Sequence, residues 1–162
     1  MFDVETFLNT TTTESMSTAF ATAPEGVFIL QIEDVTAASG TSETGPWIRL
    51  DITYSLTDHT ILESLNVRRL IVRGGRLFLD LKDDGSLDFS EGRNVRLGRL
   101  RDAVHQNRKG QPWSPSMLKG QIVAGQIRHS PYRADPTQTI AEVVRVFDPA
   151  TVKEFTKVGK IA

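Results

Sequence analysis

The segment from Gly74 to Asn107 constrains the fold most, because its hydrophobic period changes from that of a strand to that of a helix. Leu77, Leu79 and Leu81 alternate with polar or outward residues, which predicts a half-buried strand over Leu77–Leu81. The acidic Asp-Asp-Gly at 83–85 predicts a turn, since glycine readily takes a positive φ. An apolar stripe over 94–107 then predicts a helix, with Asn94 as its N-terminal cap.

Period-two alternation and turn-rich intervals predict further strands on both sides of this segment. Residues 36–46 are rich in Gly, Ser and Thr and are expected to form a loop, and the pair Gly74-Gly75 permits a turn or a bulge. The predicted strands are Gly26–Val35, Trp47–Tyr54, Val67–Val72 continuing into Leu77–Leu81, Leu118–Ile127 and Thr139–Phe147.

Five strands with one helix between the third and the fourth have the order of an OB-fold, a small Greek-key barrel. We therefore expect a mainly β protein with a five-stranded, OB-fold-like barrel over residues 26–148. A β-sandwich with an additional helix is the alternative. Residues 1–25 carry four acids and no base and are expected to form a flexible, Thr-rich arm, while residues 149–162 form a short basic tail.

Composition excludes several classes of protein. There is no cysteine among the 162 residues, so disulfides, thiolate metal sites and thiol catalysis are excluded. No apolar run approaches the roughly 20 residues of a membrane span, and the N-terminus does not resemble a signal peptide. The sequence predicts a soluble, cytoplasmic protein that has no contact with a membrane.

Arginines and aromatic residues are the strongest functional signal. The net charge is only −1, but the segment 91–110 alone carries +4. Trp47 and Arg49 are predicted to project from the outer face of one strand, with Arg69 and Arg73 on the next. Aromatic rings stack on bases and arginines hold phosphates, so this pattern predicts a surface for single-stranded nucleic acid. The candidate binding residues are Trp47, Arg49, Arg69, Arg73, Arg96, Arg99, Trp113 and Tyr132.

Residues 80–91 partly match the calcium loop of an EF-hand. Asp80, Asp84, Gly85 and Glu91 occupy four of its characteristic positions, but Lys82 stands where a ligand is required and the incoming helix is missing. A plain acidic turn explains the pattern better, although a calcium-binding domain stays open as an alternative. The three histidines and the serines show no catalytic spacing, and no cofactor or enzymatic activity is expected.

The run from Phe78 to Ser116 resembles a family of bacteriophage single-stranded-DNA-binding proteins. The resemblance extends over about residues 24–148 and is most specific in 92–120. It implies an OB-fold and protection of single strands during phage replication or recombination. The expected partners are single-stranded DNA, phage replication or recombination proteins and further copies of the chain, in the host cytoplasm if a phage encodes the protein. A phage structural or protein-docking module is the alternative. The matching parts are Gly26, Leu79-Asp80, Gly85, Gly92-x-Asn94, Leu97–Asn107, Leu118-x-Gly120 and Glu142-Val143.

The chain departs from replication-type single-strand binders at its C-terminus. Those proteins usually close with a flexible acidic tail that recruits partners, whereas this chain closes with KEFTKVGKIA. Its acidic end is the N-terminal one. Recruitment of partners through a C-terminal tail is therefore not expected.

Overall fold

The computed structural model describes residues 1–152, in which β structure dominates. The elements that lie wholly within residues 1–152 are five strands and three short helices, with a 3₁₀ turn at Pro115–Leu118, and residues 149–152 are also helical. None of the helices within 1–152 is long and apolar enough to span a bilayer. The elements are α1 (Val4–Leu8), β1 (Gly26–Ser42), β2 (Gly45–Leu56), α2 (His59–Ser64), β3 (Ile71–Phe78), α3 (Val95–Ala103), β4 (Ile122–Tyr132) and β5 (Asp135–Phe147).

The five strands form one sheet whose hydrogen bonds close into a ring in the order β1-β2-β3-β5-β4. All neighbouring pairs are antiparallel except β3 and β5, which are parallel and share a single paired position, Arg73 with Glu142. A single closed sheet is not a sandwich of two sheets, so the β-sandwich alternative is wrong. The prediction of a mainly β, five-stranded fold with a helix between β3 and β4 is confirmed.

Every second side chain along the strands points into the ring, and most of these inward side chains are apolar. Leu50, Ile52 and Tyr54 of β2 are buried, on the side of the strand opposite the predicted outward residues Trp47 and Arg49. Helix α3 closes one end of the ring with Leu97, Leu100 and Ala103. Because the same side of every strand faces inward, the opposite side is left for solvent and ligands. The most deeply buried large side chains are Leu30, Ile32, Ile52, Val72, Leu100, Leu118, Val123 and Ile127.

Two long hairpins replace predicted loops. Residues 36–42, expected to form a loop, continue β1 and pair with β2 as far as Ser42 and Gly45. Likewise β4 and β5 extend into the turn-rich segment 129–138 and pair out to Tyr132 and Asp135. Cross-strand hydrogen bonds pair the backbone N–H and C=O groups of these segments. Gly and Ser therefore adopt strand structure here despite their weak β propensity.

Several predicted boundaries differ in the structure. The third strand begins at Ile71 rather than Val67 and ends at Phe78 rather than Leu81. Leu118 lies in the 3₁₀ turn, so the fourth strand begins only at Ile122. Val95, which belongs to the predicted apolar stripe over 94–107, is exposed. Most of the predicted tail 149–162 lies outside the described residues.

Gly74 and Gly75 form a bulge within β3, which is one of the two predicted outcomes. Two residues of β3 face the single residue Ile52 of β2 there, and Gly75 has a φ of +74°. A side chain at Gly74 would overlap the ring of Tyr54. The bulge therefore lets the Tyr54 ring pack directly beneath the β3 backbone.

Candidate nucleic-acid interface

The outer face of β2 and β3 carries three of the eight predicted binding residues, Trp47, Arg49 and Arg73. Register pairs Arg49 with Phe78, and Thr53 with Arg73, across the two strands. Their chain neighbours Leu50 and Val72 are buried, so these side chains stand on the solvent side of the sheet. We call this surface the β2–β3 face. Its members are Trp47, Arg49, Asp51 and Thr53 of β2 with Ile71, Arg73, Arg76 and Phe78 of β3.

An aromatic pair lies at one end of the β2–β3 face. The rings of Trp47 and Phe78 meet edge to face, with centroids 5.6 Å apart and planes at 70°. Phe78 is 57% exposed, and Trp47 is half-buried. The Trp47 ring lies over the backbone of Gly40 in β1, where an added Cβ would come within 2.5 Å of its Cζ2 atom. Gly40 therefore makes the space in which the indole lies.

Two of the predicted phosphate-binding arginines already have acidic partners. The Arg49 guanidinium lies 5.3 Å from the Trp47 ring centroid, and its Nε is 3.0 Å from Asp51 Oδ1. Arg69, which is 61% exposed, forms an ion pair with Glu33. These acids lower the net positive charge that Arg49 and Arg69 offer to a ligand.

Arg73 and Arg76 are the free cations of the β2–β3 face. Both are exposed, and within residues 1–152 neither forms an ion pair with an acid. Arg73 is paired in register with Glu142 of β5, but no ion pair joins their side chains. Arg76 is paired in register with Asp51, whose carboxylate contacts Arg49 instead. Arg73 and Arg76 are thus the arginines best placed to meet phosphates.

Tyr132 reaches the opposite end of this face from the β4–β5 hairpin. It lines a cavity of about 190 Å³ together with Arg73, Ile71 and Ile140. Phe20 of the N-terminal segment covers one edge of its ring, with centroids 5.2 Å apart and planes at 87°. The structure therefore brings Tyr132 and Arg73 to one cavity, partly closed by residues that precede β1.

Arg96 and Arg99 are exposed on α3 and lie beside β3 and β5. Arg96 Nη1 donates a hydrogen bond of 3.4 Å to the carbonyl oxygen of Arg76, so the helix arginines adjoin the β2–β3 face at its β3 edge. They line a separate cavity between α3 and β5.

Trp113 contacts a different part of the molecule. Its Nε1 donates to Gln106 Oε1 at 2.9 Å, and the Arg101 guanidinium lies 4.2 Å from its ring centroid. The same Arg101 donates to the Gln106 carbonyl oxygen at 3.0 Å. The ring is half-buried and packs against the core, so these intramolecular contacts already occupy much of its surface.

The acidic segment 80–91 forms a turn held by its own side chains. Ser86 donates to Asp84 and Ser90 donates to Asp88, each through both its hydroxyl and its backbone N–H, and these bonds lower the pKa of both carboxyls. Gly85 has a φ of +84°, as the turn requires. Within residues 1–152, no group of three or more His, Asp or Glu side chains is arranged to hold a metal ion.

Sequence reasoning did not include Phe78 and Arg76 among the binding residues. The signal that could have identified them was present, because both alternate with Leu77, which must be buried. Their importance depends on the register with β2, which puts Phe78 beside Trp47 and, within residues 1–152, leaves Arg76 without an ion pair.

Neither a protein-family model nor a curated protein sequence matches this chain. The function is therefore inferred from the geometry of the β2–β3 face and of the arginines beside it.

Proposed function

We propose that this protein binds single-stranded DNA on the β2–β3 face, without strong sequence preference and without catalysing a reaction. The observation that carries the proposal is the pair of half-buried Trp47 and exposed Phe78 on the same sheet face as Arg73 and Arg76, which form no ion pair within residues 1–152. Bases stack on aromatic rings and phosphates pair with arginines. Neither contact distinguishes one base from another, so the affinity depends little on sequence.

The arrangement of strands supports an OB-fold. Its features are a closed order of β1-β2-β3-β5-β4, a parallel β3–β5 contact and a helix between β3 and β4. OB-folds bind oligonucleotides on the face of strands 2 and 3, between the loops that join strands 1–2 and 4–5. Here those loops, at 43–44 and 133–134, lie at opposite ends of the β2–β3 face, because β2 is antiparallel and β5 parallel to β3.

The resemblance of Phe78–Ser116 to phage single-stranded-DNA-binding proteins supplies a biological setting. We infer that the protein protects single strands during phage DNA replication or recombination, in the cytoplasm of the host. Replication or recombination proteins of the phage, or further copies of this chain, would be its partners. Coating of a single strand requires no catalytic group, which agrees with the noncatalytic proposal.

A titration with a fluorescein-labelled oligothymidylate tests the proposal directly. We expect binding that weakens from 50 to 200 mM NaCl, and a loss of at least about fivefold in Phe78→Ala, since stacking on one base contributes roughly 1–3 kcal/mol. Arg128→Ala on β4, also exposed, is the control and should change affinity little. Equal losses in the Phe78 and Arg128 variants would contradict a specific face.

A protein-docking role for the N-terminal segment is the second candidate. Helix α1 has no buried residue, and its apolar side chains Phe7 and Leu8 are 74% exposed beside Asp3 and Glu5. Deletion of residues 1–17 tests this candidate, because Thr18 and Ala23 supply the carbonyls that hold the segment to Gln138 and His129. Unchanged DNA binding by the shortened protein would leave α1 free to dock a partner, whereas lost binding would place it in the DNA interface.

A further inference from the structure

A second candidate site lies between α3 and β5, at the place where β3 and β5 part. The two strands pair at only one position of the ladder, Arg73 with Glu142, and α3 packs against β5 beyond it. A cavity of about 120 Å³ remains there. Its polar or glycine lining comes from Tyr54, Gly74, Arg96, Arg99 and Arg145, and the rest of its lining is apolar.

Three arginines line this cavity, and its lining within residues 1–152 contains no acidic residue. Arg99 makes no ion pair or hydrogen bond through its side chain within residues 1–152. Arg96 uses one donor on the carbonyl oxygen of Arg76, and Arg145 lies 5.1 Å from the ring centroid of Phe147. Arginine charges around one cavity without an acidic lining residue repel each other, and a bound anion relieves that repulsion.

Tyr54 adds a neutral donor to the cavity. The residue is only 3% exposed, and within residues 1–152 no protein group forms a hydrogen bond with its hydroxyl. Burial raises the pKa of Tyr54, although the charge of Arg96 acts in the opposite direction, so the hydroxyl keeps its proton. No buried side-chain oxygen or nitrogen within residues 1–152 lacks a hydrogen-bond partner, so the unpartnered Tyr54 hydroxyl is accessible to solvent and can donate to a ligand acceptor.

We propose that this cavity binds a phosphate group, held by Arg96, Arg99 and Arg145 and by a hydrogen bond from the Tyr54 hydroxyl. Guanidinium groups match the oxygens of phosphate in charge and geometry. One water occupies on the order of 12 Å³ of such a cavity, so its volume suffices for the five heavy atoms of phosphate. The phosphate can belong to a free phosphomonoester or to the 5′ end of a DNA strand, and the site does not require that the β2–β3 face bind DNA.

Calorimetric titration with inorganic phosphate, at constant ionic strength set with NaCl, tests the site. We expect a saturable signal that Arg99→Gln and Arg145→Gln each weaken at least about tenfold, because each removes a charge-assisted hydrogen bond. Arg128 is an exposed arginine on β4 that does not line the cavity, so Arg128→Gln is the matched control and should bind phosphate as the unaltered protein does. Absence of saturable binding up to about 10 mM, or equal weakening in all three variants, overturns the proposal.

Tyr54→Phe tests the contribution of the hydroxyl while it keeps the ring under Gly74. We expect weaker phosphate binding with an unchanged urea midpoint in phosphate-free buffer. Unchanged binding in Tyr54→Phe removes the hydroxyl from the site. If this variant unfolds, Arg99→Gln and Arg145→Gln still decide the proposal, because both side chains are exposed.

Two ligands distinguish the sources of the phosphate. If the site takes strand ends, a 5′-phosphorylated oligonucleotide binds more tightly than its 5′-hydroxyl counterpart, and Arg99→Gln abolishes the difference. If it takes free phosphomonoesters, thymidine monophosphate displaces inorganic phosphate and the two oligonucleotides bind equally. Either result supports the site. The proposal is overturned if thymidine monophosphate does not displace inorganic phosphate and the two oligonucleotides also bind equally.

Discussion

Asp80 and Asn94 hold each other through three hydrogen bonds across fourteen positions of the chain. The Asn94 side chain accepts from the Asp80 backbone N–H at 2.8 Å and donates to the Asp80 carbonyl oxygen at 2.9 Å, while the Asn94 backbone N–H donates to the Asp80 carboxylate at 3.0 Å. A fourth bond joins Asn94 Nδ2 to the carbonyl oxygen of Asp88. Asn94 therefore fastens the acidic turn to the start of α3, and its side chain does not cap the helix.

Replacement of Asn94 by alanine should lower the free energy of unfolding by about 2 kcal/mol. Three side-chain hydrogen bonds are lost, each with a net contribution of roughly 0.5–1.5 kcal/mol, and the φ of +51° is unfavourable for alanine. Urea unfolding measures the change. Asn94→Gly tolerates the φ and should recover part of the loss, so equal stability of the two variants would contradict a backbone contribution.

Replacement of Gly40 by alanine should displace the Trp47 ring without unfolding the protein. The added Cβ would lie 2.5 Å from Trp47 Cζ2, at the outer part of a side chain that can turn away. DNA affinity should fall roughly fivefold if stacking is worth about 1 kcal/mol. Gly98→Ala in α3 is the control, because its Cβ meets no atom within 4 Å. Unaltered affinity in Gly40→Ala would show that the position of the indole is unimportant.

DNA should quench the fluorescence of Trp47 and not that of Trp113. Trp47 lies on the proposed binding face beside Phe78, whereas Trp113 is engaged by Arg101 and Gln106. Emission from Trp113→Phe should therefore still be quenched by an oligothymidylate, and emission from Trp47→Phe should change little. The reverse pattern would transfer the stacking surface to the loop after α3.

The salt dependence of DNA binding should depend more on Arg73 and Arg76 than on Arg49 and Arg69. Each phosphate contact contributes about 0.7 to the slope of log affinity against log salt, so Arg73→Ala/Arg76→Ala should flatten it by roughly 1.4. A smaller change is expected for Arg49→Ala/Arg69→Ala, because acids already compete for those guanidinium groups. A slope changed only by Arg96→Ala/Arg99→Ala would move the binding surface to α3.

Micromolar calcium should leave the melting temperature unchanged. Asp84 and Asp88 accept hydrogen bonds from Ser86 and Ser90, and Asp80 accepts from the Asn94 backbone, so these carboxylates serve the turn itself. Differential scanning calorimetry with calcium, with magnesium as the control, measures the effect. A rise specific to calcium would revive the EF-hand interpretation of residues 80–91.

Much of the fold is predictable because the alternation of strands is local. Leu50, Ile52 and Tyr54 are buried as their spacing predicts, and α3 lies where the period changes. The extension of β1 to Ser42 is not predictable in the same way, since its small polar residues form a strand only because β2 pairs with them. Intrinsic β propensity does not predict strand structure that depends on tertiary contacts.

The sequence predicts which types of residue form the candidate site, but it does not predict which of its arginines have acidic partners. The sequence places Trp47 and Arg49 on one strand face, but the ion pair between Glu33 and Arg69 joins residues far apart in the chain. The same limit applies to Trp113, whose aromatic character predicts stacking while its partners Arg101 and Gln106 depend on the path of the loop. Only the folded chain decides which arginines remain uncompensated.

The single ladder position that pairs β3 with β5, Arg73 with Glu142, has a consequence for how the chain folds. The β1–β2, β2–β3 and β4–β5 pairs join consecutive strands, whereas the β3–β5 contact must close a long loop for one position of ladder. Closure of a long loop costs entropy before the contact returns any energy. We therefore expect the hairpins to form first and this seam to close last, with amides near Arg73 acquiring protection late in pulsed hydrogen exchange. Early protection there would indicate that the seam forms with the hairpins.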